Sequence, residues 1–103
     1  MSIWFVSRHP GAVEWAKLQG LHVDRWVAHL SVNEIAAGDK VIGILPVNIA
    51  AQVCACGASY VNLSLDLPLE WRGRELSVEE LILAGAKLEE FVVSITRGKY
   101  EKV

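Results

Sequence analysis

The chain has almost no charge imbalance to exploit: ten Lys and Arg stand against twelve Asp and Glu, a formal net charge of −2. That balance argues against broad, sequence-independent binding to duplex nucleic acid, which needs a basic surface. A small anionic ligand held at a local basic site is still allowed. No apolar run approaches the roughly 20 residues of a membrane helix. The N-terminal stretch also lacks a charged region followed by a long apolar segment and a cleavage site. No membrane partner is therefore expected, and a cytoplasmic location is. Cysteine is scarce, with Cys54 and Cys56 the only two. They stand one residue apart in a segment that reads as helix, where such positions point in different directions, so core packing is expected of both rather than a metal or redox pair. The clustered His, Cys, Asp and Glu spacing of zinc sites is missing, as are the paired acids of magnesium sites. Neither the P-loop pattern nor the dinucleotide Gly-rich fingerprint is present, so ATPase and dehydrogenase readings fall. A site that needs no metal and no cofactor is the expectation.

What is present is core-forming material. Of 103 residues, 52% are hydrophobic and 21% charged, enough apolar side chain to offset the entropy of ordering and too short a chain for two ordinary domains. Residues 1–103 are read as a single α/β domain.

A strand–helix grammar runs along the chain. Ile3 to Ser7 is short, apolar and rich in β-branched or aromatic residues, as in a buried strand. Pro10 then suits a first helical turn and Gly20 the left-handed residue that ends the helix, with Val13, Trp15 and Ala16 facing inward. The pattern repeats with a strand over Lys40 to Leu45, Pro46 opening a helix and Gly57 closing it. That helix carries Val47, Ala50, Ala51 and Cys54 at core spacing, with Asn48 on another face. Between the two units a strand is expected near Arg25 to Leu30. Ser31 and Glu34 then suggest a capping box for a short turn ending at Gly38. Ser59 to Leu65 alternates as a strand toward one edge of the sheet. Ser77 and Glu80 form a stronger capping box. They are followed by one long helix with Val78, Leu81, Ile82, Gly85, Leu88, Phe91, Val92 and Ile95 inward and Glu79, Lys87, Glu89 and Glu90 outward. Gly98 to Val103 are expected to fray. Alternating elements imply a mainly parallel sheet covered on both faces, and four strands are expected; with the order 2-1-3-4 the chain reverses direction between strands one and three. The loops after Ser7 and Leu45 would then share one crevice, the default ligand site of such sheets.

The candidate chemistry collects at that crevice. Ser7, Arg8 and His9 place a hydroxyl, a guanidinium and an imidazole at a strand end and helix N-terminus, where free N–H groups and the helix dipole favour a phosphate. A solvated Arg8 and a plainly capping His9 fit the same sequence. Pro46 and Asn48 open the facing helix, and Asn48 can donate to and accept from a base or ribose or simply face water. Asp66 can reach a ribose hydroxyl, orient a histidine or form a turn. Arg72 and Arg74 could close over a polyanion or be merely solvated. His22 and His29 are placed away from the crevice as structural or surface residues.

The segments VSRHPGAVEWAKLQG, GDKVIGILPVNIAAQVCACG and LSLDLP followed by WRGRELSVEEL resemble, over nearly the whole chain, small CRISPR-associated accessory proteins encoded beside type III systems. Ile44 departs from the pattern, which has threonine there. The resemblance implies a reduced relative of the CARF-type domain, a small Rossmann-like three-layer fold, and a ring nuclease. Such an enzyme linearises cyclic oligoadenylate, cyclic tetra-adenylate foremost, and so switches off defence signalling. It further implies a homodimer whose two-fold axis matches a cyclic ligand. In the expected chemistry a ribose 2′-hydroxyl attacks its own phosphorus without a metal. Arg8 and backbone amides would stabilise the phosphoryl oxygens, and His9 would move a proton. Ser7 and Asn48 would hold ribose or phosphate. A non-catalytic protein that sequesters the ring, and a structural partner of the CRISPR ribonucleoprotein docking through the acidic helix, are the rival classes.

Overall fold

The computed structural model describes residues 1–96; the expected fraying of Gly98 to Val103 lies outside them. The elements are β1 (Ile3–Val6), α1 (Pro10–Leu18), β2 (Arg25–Val27), β3 (Lys40–Gly43), α2 (Val47–Ala55), β4 (Ser59–Ser64), α3 (Val78–Leu83) and β5 (Lys87–Phe91), with 3₁₀ turns at Val32–Glu34 and Leu69–Trp71. The fold is mixed α/β. One sheet runs in the order β2-β1-β3-β4-β5, parallel except for the antiparallel pair of β4 and β5.

Side-chain alternation along the strands builds two cores. Phe5, Ile42, Val61 and Leu63 face one side, where they pack with Trp15 and Ala16 of α1 and Leu81 of α3. Trp4, Val41 and Tyr60 face the other, against Ala50 and Val53 of α2 and Ile35. The first helix therefore covers one face and the second the opposite face, and the chain changes direction between β1 and β3. Those two strands pair from Ile3 against Lys40 to Val6 against Gly43.

Pro10 is the first residue of α1, and the left-handed Gly20 and Gly57 follow α1 and α2, as the sequence pattern implies. Ser77 and Glu80 also form the reciprocal capping box. At the base of the sheet, buried Asp39 accepts from the amides of Ser2 and Ala36 and from the Trp4 indole. The Ala36 amide, then the Ser2 amide, hold its carboxyl below the ordinary carboxylate range.

Several expectations are corrected. The sheet has five strands, not four, and the long helix does not exist: α3 stops at Leu83, and Gly85 turns the chain with φ 70°. Lys87 to Phe91 then form β5, whose backbone pairs with β4. β4 is thus flanked on both sides instead of lying at an edge. The acidic surface offered for ribonucleoprotein docking is correspondingly divided between α3 and β5. The strands expected at Arg25 to Leu30, Lys40 to Leu45 and Ser59 to Leu65 end earlier, at Val27, Gly43 and Ser64. Ser31 makes no side-chain cap to the turn that follows it. Val47 is 72% exposed, and Val53 fills the core position instead. Cys56, the residue after α2, is exposed, while Cys54 is half-buried with its thiol near the Phe91 carbonyl and the Val93 amide.

Candidate functional site

Beyond the C-terminal ends of the four parallel strands lies a cavity of about 680 Å³, within the range of about 300–1,000 Å³ usual for small-molecule clefts. Each strand end contributes to its lining: Val6 to His9 after β1, Ala28 to Leu30 after β2, Gly43 to Pro46 at the end of β3, and Leu65 and Leu67 after β4. Arg74 and Leu76 complete it from the segment before α3. The cavity therefore spans the junction where α1 and α2 leave to opposite faces.

The first loop is tightly shaped. The Ser7 amide donates to the Val27 carbonyl at 2.9 Å, and the Ser7 hydroxyl accepts from the His9 amide at 3.1 Å. His9 is the residue before α1, yet its side chain makes no cap hydrogen bond, so the imidazole is not used to cap the helix. Not every amide here is free. Pro10 has no N–H and the His9 amide is taken by Ser7, but the Arg8 and Gly11 amides have no partner among the described residues, so attraction for phosphate rests on the Arg8 guanidinium, these amides and the helix dipole. Arg8 is exposed and has no carboxylate partner among the described residues.

The second loop supplies further amides. Pro46 accepts from Ile49 and Ala50, while the Val47 and Asn48 amides have no partner among the described residues. The loop is held by Tyr60, which the sequence pattern marks only as part of an alternating strand. Its hydroxyl accepts from the Leu45 amide at 3.2 Å and hydrogen-bonds the Asn62 side chain, and Asn62 donates to Ser64. The Tyr60, Asn62, Ser64 alternation was the available signal, since polar groups on the helix-covered face of a strand need partners.

Among the remaining candidates, Arg74 lines the cavity and Arg72 does not. Arg74 pairs with Glu80 and lies over the Trp71 ring. Glu80 thereby ties the loop to the cap of α3; the Ser77 amide, and then Arg74, hold its carboxyl below the ordinary range. Asn48 and Asp66 are exposed and outside the lining. The placement of His29 is corrected: it lines the cavity, two residues beyond the end of β2. His22 does not, and pairs instead with Asp24 at 3.1 Å. No carboxylate lines the cavity. Among the described residues no group of three or more His, Cys, Asp and Glu could hold a metal ion, and no helix is long and apolar enough to cross a membrane.

The family model for CRISPR-associated proteins designated Cas_VVA1548 matches residues 4–94. The chain belongs to this family. Its matched span contains β1 from Trp4 onward, the other four strands, both shaped loops and every lining residue of the cavity. Comparison with curated proteins and with solved structures gave no match.

Proposed function

We propose that the cavity binds a cyclic oligoadenylate, cyclic tetra-adenylate foremost, and that the protein opens the ring as a metal-independent ring nuclease that ends signalling in CRISPR defence. The observation that carries this reading is a cavity with Arg8, His9, His29 and Arg74 and no carboxylate in its lining, in a chain of net charge −2. The Arg8 guanidinium, with no carboxylate partner among the described residues, gives the cavity a local positive charge that favours a polyanion. Apolar side chains such as Ile44, Leu45 and Leu65 in the same lining offer surfaces for adenine. Membership of a CRISPR-associated family supplies the setting.

A ring of four nucleotides is larger than one such cleft. A homodimer presenting two cavities across a two-fold axis would enclose it. In the chemical step the 2′-oxygen attacks its adjacent phosphorus in line, the bond to the 5′-oxygen breaks, and a 2′,3′-cyclic phosphate and a 5′-hydroxyl result. Arg8 stabilises the phosphoryl oxygens and Ser7 keeps the loop in shape. His9 moves a proton to or from a reacting oxygen. The Val47 and Asn48 amides hold a second phosphate. Asn48 and Asp66 flank lining residues in the chain, Arg72 lies two residues before Arg74, and the side chains of all three take no part in the step.

The test is incubation of the purified protein with cyclic tri-, tetra- and hexa-adenylate, with binding and products measured separately. Conversion of the tetramer to a linear product with 2′,3′-cyclic phosphate and 5′-hydroxyl termini is expected. Tight binding without product makes the protein a sequestering one, and no binding sinks the reading.

A further inference from the structure

We propose that His29 is the second acid–base residue of ring opening, paired with His9 across the scissile phosphorus; the inference rests on the ring-nuclease reading above. The sheet register brings the two together. Val6 of β1 is paired with Val27 of β2, and the next amide, Ser7, donates to the Val27 carbonyl at 2.9 Å. Paired strands lie about 4.8 Å apart, so the two chains leave the sheet side by side. His9 stands three residues beyond Val6, and His29 two residues beyond Val27. Both line the one cavity, both are exposed, and neither belongs to an ion pair among the described residues.

The chemistry requires two groups. In-line displacement puts the attacking 2′-oxygen and the departing 5′-oxygen at opposite apices of the phosphorus. One group must take the 2′ proton while another gives a proton to the 5′-oxygen, and a single imidazole on one side cannot do both in one step. The lining offers few candidates. Arg8 and Arg74 stay charged, Ser7 is committed to the loop, and no carboxylate, lysine, cysteine or tyrosine is present. That leaves the two imidazoles, the side chains that exchange protons near neutral pH. The charged or titratable groups sharing the cavity with His29 are Arg8, His9 and Arg74. On its own segment Arg25 lies over the Trp4 ring and Glu34 in the following turn, both outside the lining. Proton balance is complete without a co-reactant: one imidazole ends protonated, the other neutral, and water restores both between turnovers.

The experiment is single-turnover cleavage of cyclic tetra-adenylate across pH by wild type, His9→Gln and His29→Gln. Ligand affinity and melting temperature are measured alongside. Each substitution is expected to slow cleavage by about 10²–10⁴-fold, as for positioned acid–base groups, with affinity and melting temperature little changed. The bell-shaped wild-type profile should lose one limb in one variant and the opposite limb in the other. A substrate carrying a bridging 5′-sulfur, whose departure needs no proton, should restore one variant and not the other. If His29→Gln cleaves within about threefold of wild type, keeps both limbs, or loses affinity as much as rate, the proposal is overturned. Rescue of both variants or of neither by the 5′-sulfur overturns the division of labour. A wild type that leaves the ring intact removes the parent reading and this proposal together, whereas a cleaving wild type beside an unaffected His29→Gln removes this proposal alone.

Discussion

Replacing Gly43 with alanine perturbs the junction on which the cavity is built. Gly43 closes β3 with φ 154°, a conformation that L side chains rarely adopt. A Cβ there would lie 2.6 Å from the Val6 carbonyl oxygen of β1. Backbone strain of this kind costs about 1–3 kcal/mol, and an extra carbon in a packed place costs about another 1–3 kcal/mol. The opposing atom is backbone and cannot swing aside, so a total near the middle of the combined range, about 3–4 kcal/mol, is expected. Gly20→Ala is the control. Its φ is 72° with nothing within 4 Å of the added carbon, so only the left-handed cost of about 1–2 kcal/mol applies. For a domain of this size about 4–8 °C is lost per kcal/mol, so Gly43→Ala should melt about 12–32 °C lower and the control about 4–16 °C lower, roughly half the loss. Urea denaturation of both variants measures the difference directly. Because the added carbon pushes β1 from β3, Gly43→Ala should also weaken ligand binding while Gly20→Ala should not. Equal destabilisation of the two variants would refute the close approach of Gly43 to Val6 as the source of the effect.

Arg8→Ala should weaken binding of cyclic tetra-adenylate and lower the slope of log affinity against log salt by about 0.7, one phosphate contact on a single strand. Arg74→Ala should have a smaller effect because its charge is shared with Glu80, and Arg72→Ala the least; an affinity series across salt ranks the three, and a wild-type slope in Arg8→Ala would misplace the site. Cleavage should survive EDTA, since no ligand cluster is available among the described residues, and loss of activity restored by added magnesium or manganese would defeat the protein-only scheme. Tyr60→Phe should cost about 1–2 kcal/mol by leaving the Leu45 amide unpaired and should reduce ligand affinity, with denaturation and titration as the readouts. The Asp39 carboxyl is lowered by the Ala36 and Ser2 amides from an ordinary 3.8. Its stabilisation is therefore present above that value and lost as pH falls through the lowered one. The melting-temperature gap between wild type and Asp39→Asn should be full at neutral pH and close in acid; a gap that does not change with pH would rule out the ionised carboxylate as its origin.

Local chemistry was legible in the sequence wherever a residue acts within its own few neighbours. Pro10 and Gly20 bound α1, Ser77 and Glu80 cap α3, and the apolar runs at Ile3 and Lys40 mark strands, because helix ends and buried strands depend on backbone geometry and hydropathy that nearby residues carry. The supposed order 2-1-3-4 of the first four strands matches the observed sheet, although connection rules constrain handedness and do not fix that order by themselves. Tertiary structure alone decided the remainder. Val78 to Ile95 repeats apolar residues at helical spacing, yet Gly85 and the free side of β4 divide it into α3 and β5, since a strand exists only where a partner's backbone is available to bond it. His29 joins His9 through the pairing of Val27 with Val6, and Tyr60 reaches Leu45 across β3 and β4. Such placements depend on register between segments distant in the chain, a property that belongs to the assembled sheet and to no single stretch of sequence.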